Sequence, residues 1–126
     1  MVRTYPTSAD MWSFREKGQT GVDITRGVDL IGFEVEAIDG GVGTIDEATY
    51  ETLRSYVVVD TGPWILGKKV LLPGGIVQRV DLDSETVFVD RTKDEIKNAP
   101  EFDEATFRDD AYRMCVCEYY KSSPRR

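Results

Sequence analysis

Two short segments carry residue types that could bind a ligand, and the spacing of both is typical of a hairpin turn. Gly40-Gly41-Val42-Gly43 has the small residues of a phosphate loop, but the third glycine of a dinucleotide fingerprint would fall on Asp46, whose carboxylate repels a pyrophosphate. Asp81-Leu82-Asp83-Ser84-Glu85 begins like a calcium loop, yet its twelfth position is Thr92 instead of a bidentate glutamate. We therefore predict a glycine turn that needs positive φ in the first segment, and a solvated hairpin tip in the second.

The residues that most often perform catalysis are missing or poorly spaced. The sequence contains no histidine, which removes the commonest general base and every Ser/His or Cys/His arrangement. Adjacent acids such as Asp46 and Glu47 are typical of solvated charge. Cys115 and Cys117 would point about 200° apart on a helix, which argues against a mutual disulfide or a two-thiolate metal clip. We predict a non-enzymatic protein with no catalytic residues, no metal and no cofactor.

Charge and hydropathy limit the class of partner and the compartment. Sixteen basic and 23 acidic residues give a net charge of −7, which opposes a phosphate backbone and argues against nucleic-acid binding. The longest apolar run, Tyr56-Val57-Val58-Val59, is far shorter than the ~20 residues that cross a bilayer. Residues 1–6 lack the apolar segment of a signal peptide. We expect a soluble, cytoplasmic protein without a membrane span.

The elements that must position any site are mainly short strands. Residues 33–37 alternate apolar and polar side chains, and with the glycine turn they predict a hairpin over residues 32–46. Residues 55–60 are apolar on both faces, which predicts a strand covered on two sides. The other strand patterns lie at residues 69–73, 76–82 and 86–90, and six strands at this spacing predict a small β-barrel or sandwich. The expected core residues are Val57, Val59, Val70, Leu72, Val80, Val87 and Val89.

Two helices are expected to follow the strands. Thr92-Lys93-Asp94-Glu95 matches a capping box and predicts a short helix that stops before Pro100. A second helix is predicted from about residue 103 or 104 to Tyr120. Its signal is a set of residues at three-to-four spacing, namely Phe107, Ala111, Met114, Cys115 and Glu118.

Five segments together resemble the PRC-barrel family. They are DLIGFEVEAIDG at residues 29–40, GTID at 43–46, YVVVDTG at 56–62, LLP at 71–73 and VDRTKDEIKNAPEF at 89–102. The segments occur in order and at compatible distances, which makes the resemblance specific over roughly residues 30–102. Met11-Trp12-Ser13-Phe14-Arg15-Glu16 and Tyr119-Tyr120 are similar to the ends of the short stand-alone bacterial members.

The resemblance implies a small six-stranded PRC-type β-barrel with a short helix and a C-terminal helix, used as an adaptor without a catalytic motif. Pro6, three glycines and scattered polar residues predict a mobile N-terminal arm at 1–27. The barrel domain is then expected at 28–102, and a C-terminal helix and tail at 103–126. The photosynthetic reaction centre H subunit shares the barrel but has a membrane-spanning helix ahead of it. The ribosome maturation factor has a second barrel domain. This sequence shows neither feature, so neither biological role is inherited.

The peripheral aromatic residues leave two interpretations open. Trp12, Phe14, Trp64, Tyr119 and Tyr120 lie outside the alternating core positions, where they either cap the ends of the barrel or form a surface for a partner. We predict a protein-interaction module that binds another protein or itself as a homodimer, although the arms could dock within one chain instead. The alternatives are an RNA- or ribosome-associated assembly factor and a small-molecule sensor.

Overall fold

The computed structural model describes residues 11–14, 29–50, 55–62, 69–100, 102–103 and 105–122. Within these ranges the fold is mainly β, as predicted, with one six-stranded sheet and two α-helices. The strands are β1 (Glu34–Ala37), β2 (Gly40–Thr49), β3 (Tyr56–Asp60), β4 (Lys69–Pro73), β5 (Val77–Asp81) and β6 (Thr86–Val89). The helices are α1 (Lys93–Lys97) and α2 (Asp110–Lys121), and a 3-10 turn occupies Gly74–Ile76.

The sheet has the order β4-β3-β2-β1-β6-β5, and only the β1–β6 pair is parallel among these neighbours. Its two edge strands, β4 and β5, are joined directly by the 3-10 turn. A flat sheet would hold these edges five strand spacings apart, about 24 Å. Three intervening residues reach at most about 14 Å, so the sheet must be rolled.

The rolled sheet is not a closed barrel. Among the described strands, no hydrogen-bonded ladder joins β4 to β5, so the closed barrel expected from the sequence is not observed. The residues between β4 and β5 form a 3-10 turn. Their backbone is not extended, so they do not continue the strand pairing from one edge to the other.

The core lies on the inner face of this rolled sheet. In β1, Val35 and Ala37 point inward while Glu34 and Glu36 are exposed, as the alternation predicts. Six of the seven predicted core residues are buried: Val57, Val59, Leu72, Val80, Val87 and Val89. The prediction was wrong for Val70, which is only partly buried near the start of edge strand β4, whereas Leu72 on the same face of that strand is fully buried.

The predicted hairpin of β1 and β2 is confirmed, and one of its glycines is required by a close approach. Gly41 and Gly43 pair with Glu36 and Val35, which leaves Val42 as the extra residue of a bulge. A Cβ atom on Gly43 would lie 2.0 Å from the carbonyl oxygen of Asp60 on β3. Only glycine therefore lets β2 and β3 come together at this point.

Strand β3 is covered on both faces, as its sequence predicts. Val57 and Val59 are fully buried on the inner face, and Val58 on the outer face is also buried. Tyr56 lies on the outer face with Val58, and its ring packs edge-on against Phe107 with 6.2 Å between ring centroids. The segment that precedes α2 therefore supplies the second cover.

The predicted capping box of α1 is confirmed in detail. The Thr92 hydroxyl accepts a hydrogen bond from the Glu95 amide at 3.2 Å, and the Glu95 carboxylate accepts one from the Thr92 amide at 2.9 Å. Both donors belong to the first turn, where no intrahelical acceptor is present.

Helix α2 begins later than the sequence predicts. The carboxylate of Asp103 accepts the Ala105 amide at 2.8 Å and its carbonyl accepts the Phe107 amide at 2.8 Å, which makes a separate turn. Asp109 then adopts an extended conformation, so regular helix starts only at Asp110.

The side of α2 that packs against the sheet is not the side on which most of the residues that indicated the helix lie. Most of the residues whose spacing indicated the helix lie on its exposed side: Ala111, Met114, Cys115 and Glu118. Its buried residues are Val116, Cys117 and Tyr120. Phe107 is buried but belongs to the preceding turn. The periodicity identified a helix correctly, but short side chains and one methionine could not specify which face packs.

Replacing Val59 with alanine tests the inner face. We expect a loss of about 1–3 kcal/mol of unfolding free energy, since the deleted methyl groups leave a cavity in the core. Val70→Ala, the same change at the residue paired with Val59 on β4, is the control and should cost distinctly less because Val70 is partly exposed. Urea unfolding measures both, and equal losses would contradict the difference in burial between the two residues.

Candidate functional site

The described part of the N-terminal arm packs against the rest of the chain. Met11 is 1% exposed and belongs to the core, and the Trp12 carbonyl accepts the Ser55 amide at 2.9 Å. The Phe14 ring lies 5.8 Å from that of Tyr50. Trp12 and Phe14 are thus half-buried within one chain, and the other residues of the predicted mobile arm lie outside the described ranges.

The aromatic residues predicted as a partner surface differ in how much of their surface is exposed. Tyr120 has no exposed area because it lies on the buried side of α2, so in this conformation it presents nothing to a partner. Tyr119 is half-buried, and its hydroxyl donates to the Glu95 carbonyl at 2.5 Å. Trp64 lies outside the described residues. Trp12, Phe14 and Tyr119 keep only part of their surface exposed.

A buried ion pair connects α2 to the sheet, and no sequence pattern predicted it. Asp90 and Arg91 are both fully buried and pair with each other. Arg91 Nη2 also donates to the Tyr120 carbonyl at 3.1 Å, in the last turn of α2. A cation is favourable there because the C-terminal end of a helix carries partial negative charge.

Three tyrosines fasten α2 and the segment before it. The Tyr112 hydroxyl donates to the Pro100 carbonyl at 3.3 Å, and burial raises the pKa of Tyr112 to about 12. Burial also raises the pKa of Tyr119 and that of Tyr120. These phenols therefore remain neutral throughout the ordinary pH range, and those of Tyr112 and Tyr119 stay available as hydrogen-bond donors.

A half-open cleft lies on the outer face of β2, β3 and β4. Its volume is about 180 Å³, and the residues that line it are Asp46, Glu47, Lys69, Phe102, Phe107 and Arg108. The first three come from strands β2 and β4, and the last three come from the segment between α1 and α2. Fixing that segment over the sheet therefore creates the cleft.

The cleft combines an aromatic wall with a rim of paired charges. The rings of Phe102 and Phe107 lie 4.8 Å apart between centroids. On the rim, Lys69 Nζ is 2.7 Å from Asp46 Oδ2, and Arg108 Nη2 is 3.3 Å from Glu47 Oε1. The guanidinium carbon of Arg108 lies 4.1 Å from the centroid of the Phe107 ring. Such an arrangement can hold one apolar or planar side chain and pair its polar end.

Sequence reasoning missed the cleft because its residues looked ordinary one by one. Asp46 and Glu47 were interpreted as solvated charge, Lys69 as the first residue of a strand, and Phe107 as a residue of α2. The one usable signal was the apolar outer face of β3, which required a cover from elsewhere in the chain.

Of the two segments first considered for ligand binding, the second is a turn, as predicted. The first is not: the hairpin turn lies at Ile38–Asp39, and the glycine-rich segment forms the start of β2, where Gly40 has the expected positive φ of +146°. Asp81 accepts the amides of Asp83 and Ser84 at 3.0 and 3.3 Å, and the Ser84 amide lowers the pKa of Asp81. The described residues contain no cluster of three or more metal-ligating side chains.

The thiol of Cys115 is exposed, that of Cys117 is buried, and both cysteines are free.

Neither of the described helices has the length and apolar character that a membrane crossing requires. No family model matches the chain, and no curated protein matches its sequence.

Alkaline stability tests the fastening of α2 by tyrosine. The raised pKa of Tyr112 means that its stabilisation is complete below pH 10 and is lost as pH rises towards about 12, because only the unfolded phenol ionises in that interval. Over this interval the unfolding free energy should fall in both proteins. In Tyr112→Phe we expect that fall to be smaller than in the parent protein by about 1 kcal/mol, after allowance for solvent screening. Urea unfolding at several alkaline pH values measures it, and parallel curves for the two proteins would contradict the assignment.

Proposed function

We propose that the protein is a non-enzymatic protein-interaction module of the PRC-barrel type, and that a partner binds through the cleft. The observation that carries this proposal is the aromatic wall of Phe102 and Phe107 inside a rim of exposed ion pairs. Protein interfaces bury a few anchor side chains in such pockets and surround them with a polar rim.

The size of the cleft favours a side chain as its occupant. An apolar cavity of about 150 Å³ holds one benzene molecule, so a volume of about 180 Å³ suits one ring-sized side chain. Pockets for drug-sized ligands and cofactors usually measure about 300–1,000 Å³. The cleft therefore supports an interaction module better than it supports a cofactor-dependent enzyme or a sensor of large ligands.

The charges of the rim favour protein over RNA. Lys69 and Arg108 beside aromatic rings are the residue types that nucleic-acid grooves use. Here Asp46 and Glu47 stand next to these cations, and their carboxylates would repel a phosphate. The net charge of −7 acts in the same direction.

The adaptor role, the barrel and self-association belong to the same proposal. The barrel is supported by the short connection between the two edges of the sheet and by the resemblance of the five segments. Tyr120 is buried in the core of its own chain, and Tyr112 and Tyr119 pack partly against that core, so these three tyrosines offer a homodimer little surface. A cytoplasmic location remains a prediction from the sequence.

Site-specific photo-crosslinking tests the proposed function in the native cell extract. A photo-reactive amino acid replaces Lys69 on the rim, which leaves both carboxylates and both aromatic rings of the cleft in place, and in a control protein it replaces Asp83, which is exposed at the β5–β6 turn. We expect a protein to be crosslinked from position 69 and not from position 83. A product of twice the chain mass would identify the partner as a second copy.

Two outcomes would contradict the proposal. RNA crosslinked from position 69 at physiological salt would favour the assembly-factor alternative. Crosslinked products that are the same from positions 69 and 83 would show that the cleft is not the binding surface.

A further inference from the structure

Two cations of the chain line the cleft, Lys69 and Arg108, and Arg108 is the one that lies on the aromatic wall. The Arg108 guanidinium stacks over Phe107 at 4.1 Å and pairs with Glu47 at 3.3 Å. Stacking on an aromatic face together with carboxylate pairing is the mode in which proteins recognise a planar guanidinium. The contacts of Arg108 thus show which chemistry the wall and the rim accept.

Arg108 is held weakly in this position. Its side chain is 64% exposed, and the Glu47 side chain is 48% exposed. Ion pairs this accessible to water contribute little to stability, because water and salt screen the attraction and the long side chains lose freedom. Another cation could therefore displace Arg108 at small cost.

The charge of the molecule favours a basic occupant. The net charge of −7 attracts cationic partners over a distance and raises their rate of encounter. Asp46 and Glu47 supply two carboxylates to the rim, each with about half of its side chain exposed to solvent. Lys69 lies 2.7 Å from Asp46, so an anionic ligand would have to separate this closer ion pair.

We propose that the cleft is a binding site for an arginine side chain on a basic segment of a protein partner, with Arg108 as the resident competitor. This inference rests on the proposed function, because it names the partner chemistry of the same cleft. Arginine is preferred to lysine because its planar group can stack on a ring and pair with a carboxylate at once.

Nuclear magnetic resonance titration of the full chain with a blocked Gly-Arg-Gly peptide tests the inference. We expect the peptide to shift the amides of residues 46, 47, 102 and 107, and the same peptide with citrulline in place of arginine to shift them much less. Citrulline keeps nearly the same shape but carries no charge.

Two variants separate the competitor from the acceptor. Arg108→Ala should tighten peptide binding by about threefold or more, because the site is no longer partly occupied by its own chain. Glu47→Gln should weaken it by a similar factor. The controls make the same changes elsewhere: Arg79→Ala removes a cation that stacks on Phe88 at 4.2 Å, and Glu34→Gln removes an exposed carboxylate of β1.

The outcomes distinguish this inference from the proposed function on which it rests. Equal effects of Arg108→Ala and Arg79→Ala would mean that only net charge matters and would overturn the inference. So would weaker binding by Arg108→Ala, or no shift at the cleft. A protein crosslinked from position 69 together with no response to the peptide would support the proposed function and reject an arginine ligand. Peptide binding without any crosslinked protein would reject the function and keep the cation site.

Discussion

The buried pair of Asp90 and Arg91 is the interaction on which the rest of the arrangement depends. Removing two charges from water is costly, and the cost is offset only where both are paired and hydrogen-bonded. Arg91 meets this condition by binding Asp90 and the Tyr120 carbonyl. The backbones of the pair also bind Ile76 at the turn between the sheet edges and Ile38 at the β1–β2 turn. One short segment thus connects the turn between the sheet edges and the β1–β2 turn to α2.

The position of the cleft follows from this connection. Arg91 fixes the end of α2, while Tyr119 and Tyr112 bind the backbone of α1 and of the segment after it. The residues between the two helices are therefore held at both ends. Phe107 is placed over Tyr56 on the sheet, and Arg108 beside Glu47. Side chains remote from the cleft consequently determine its shape.

The sequence predicted those parts of the structure that depend on local patterns. Alternating side chains located the strands, the two-sided apolar run of β3 indicated a second cover, and Thr92 with Glu95 located the start of α1. Patterns of this kind act within a few residues, and the capping box contains all of its partners within four.

The remaining features depend on contacts between distant segments. Val70 looks like a core residue in its strand, but it lies near the start of β4 and is only partly buried, whereas Leu72 on the same face is fully buried. The start of α2 depends on the turn at Asp103, which competes with helix over the same backbone groups. The burial of Asp90 and Arg91 contradicts the usual preference of charged residues for the surface. No local pattern shows that the Tyr120 carbonyl, 29 residues from Arg91, will accept its hydrogen bond.

Hydrogen exchange of the double variant Asp90→Asn, Arg91→Met tests this account most directly, because it removes both charges and leaves neither buried alone. We predict that the amides of α2 and of residues 105–108 lose protection, while those of β3 keep it. Unchanged protection of α2 would contradict the account, since the helix would then be held by its tyrosines and apolar contacts alone. Equal loss in α2 and β3 would also contradict it, because the pair would then support the whole fold and not the attachment of α2.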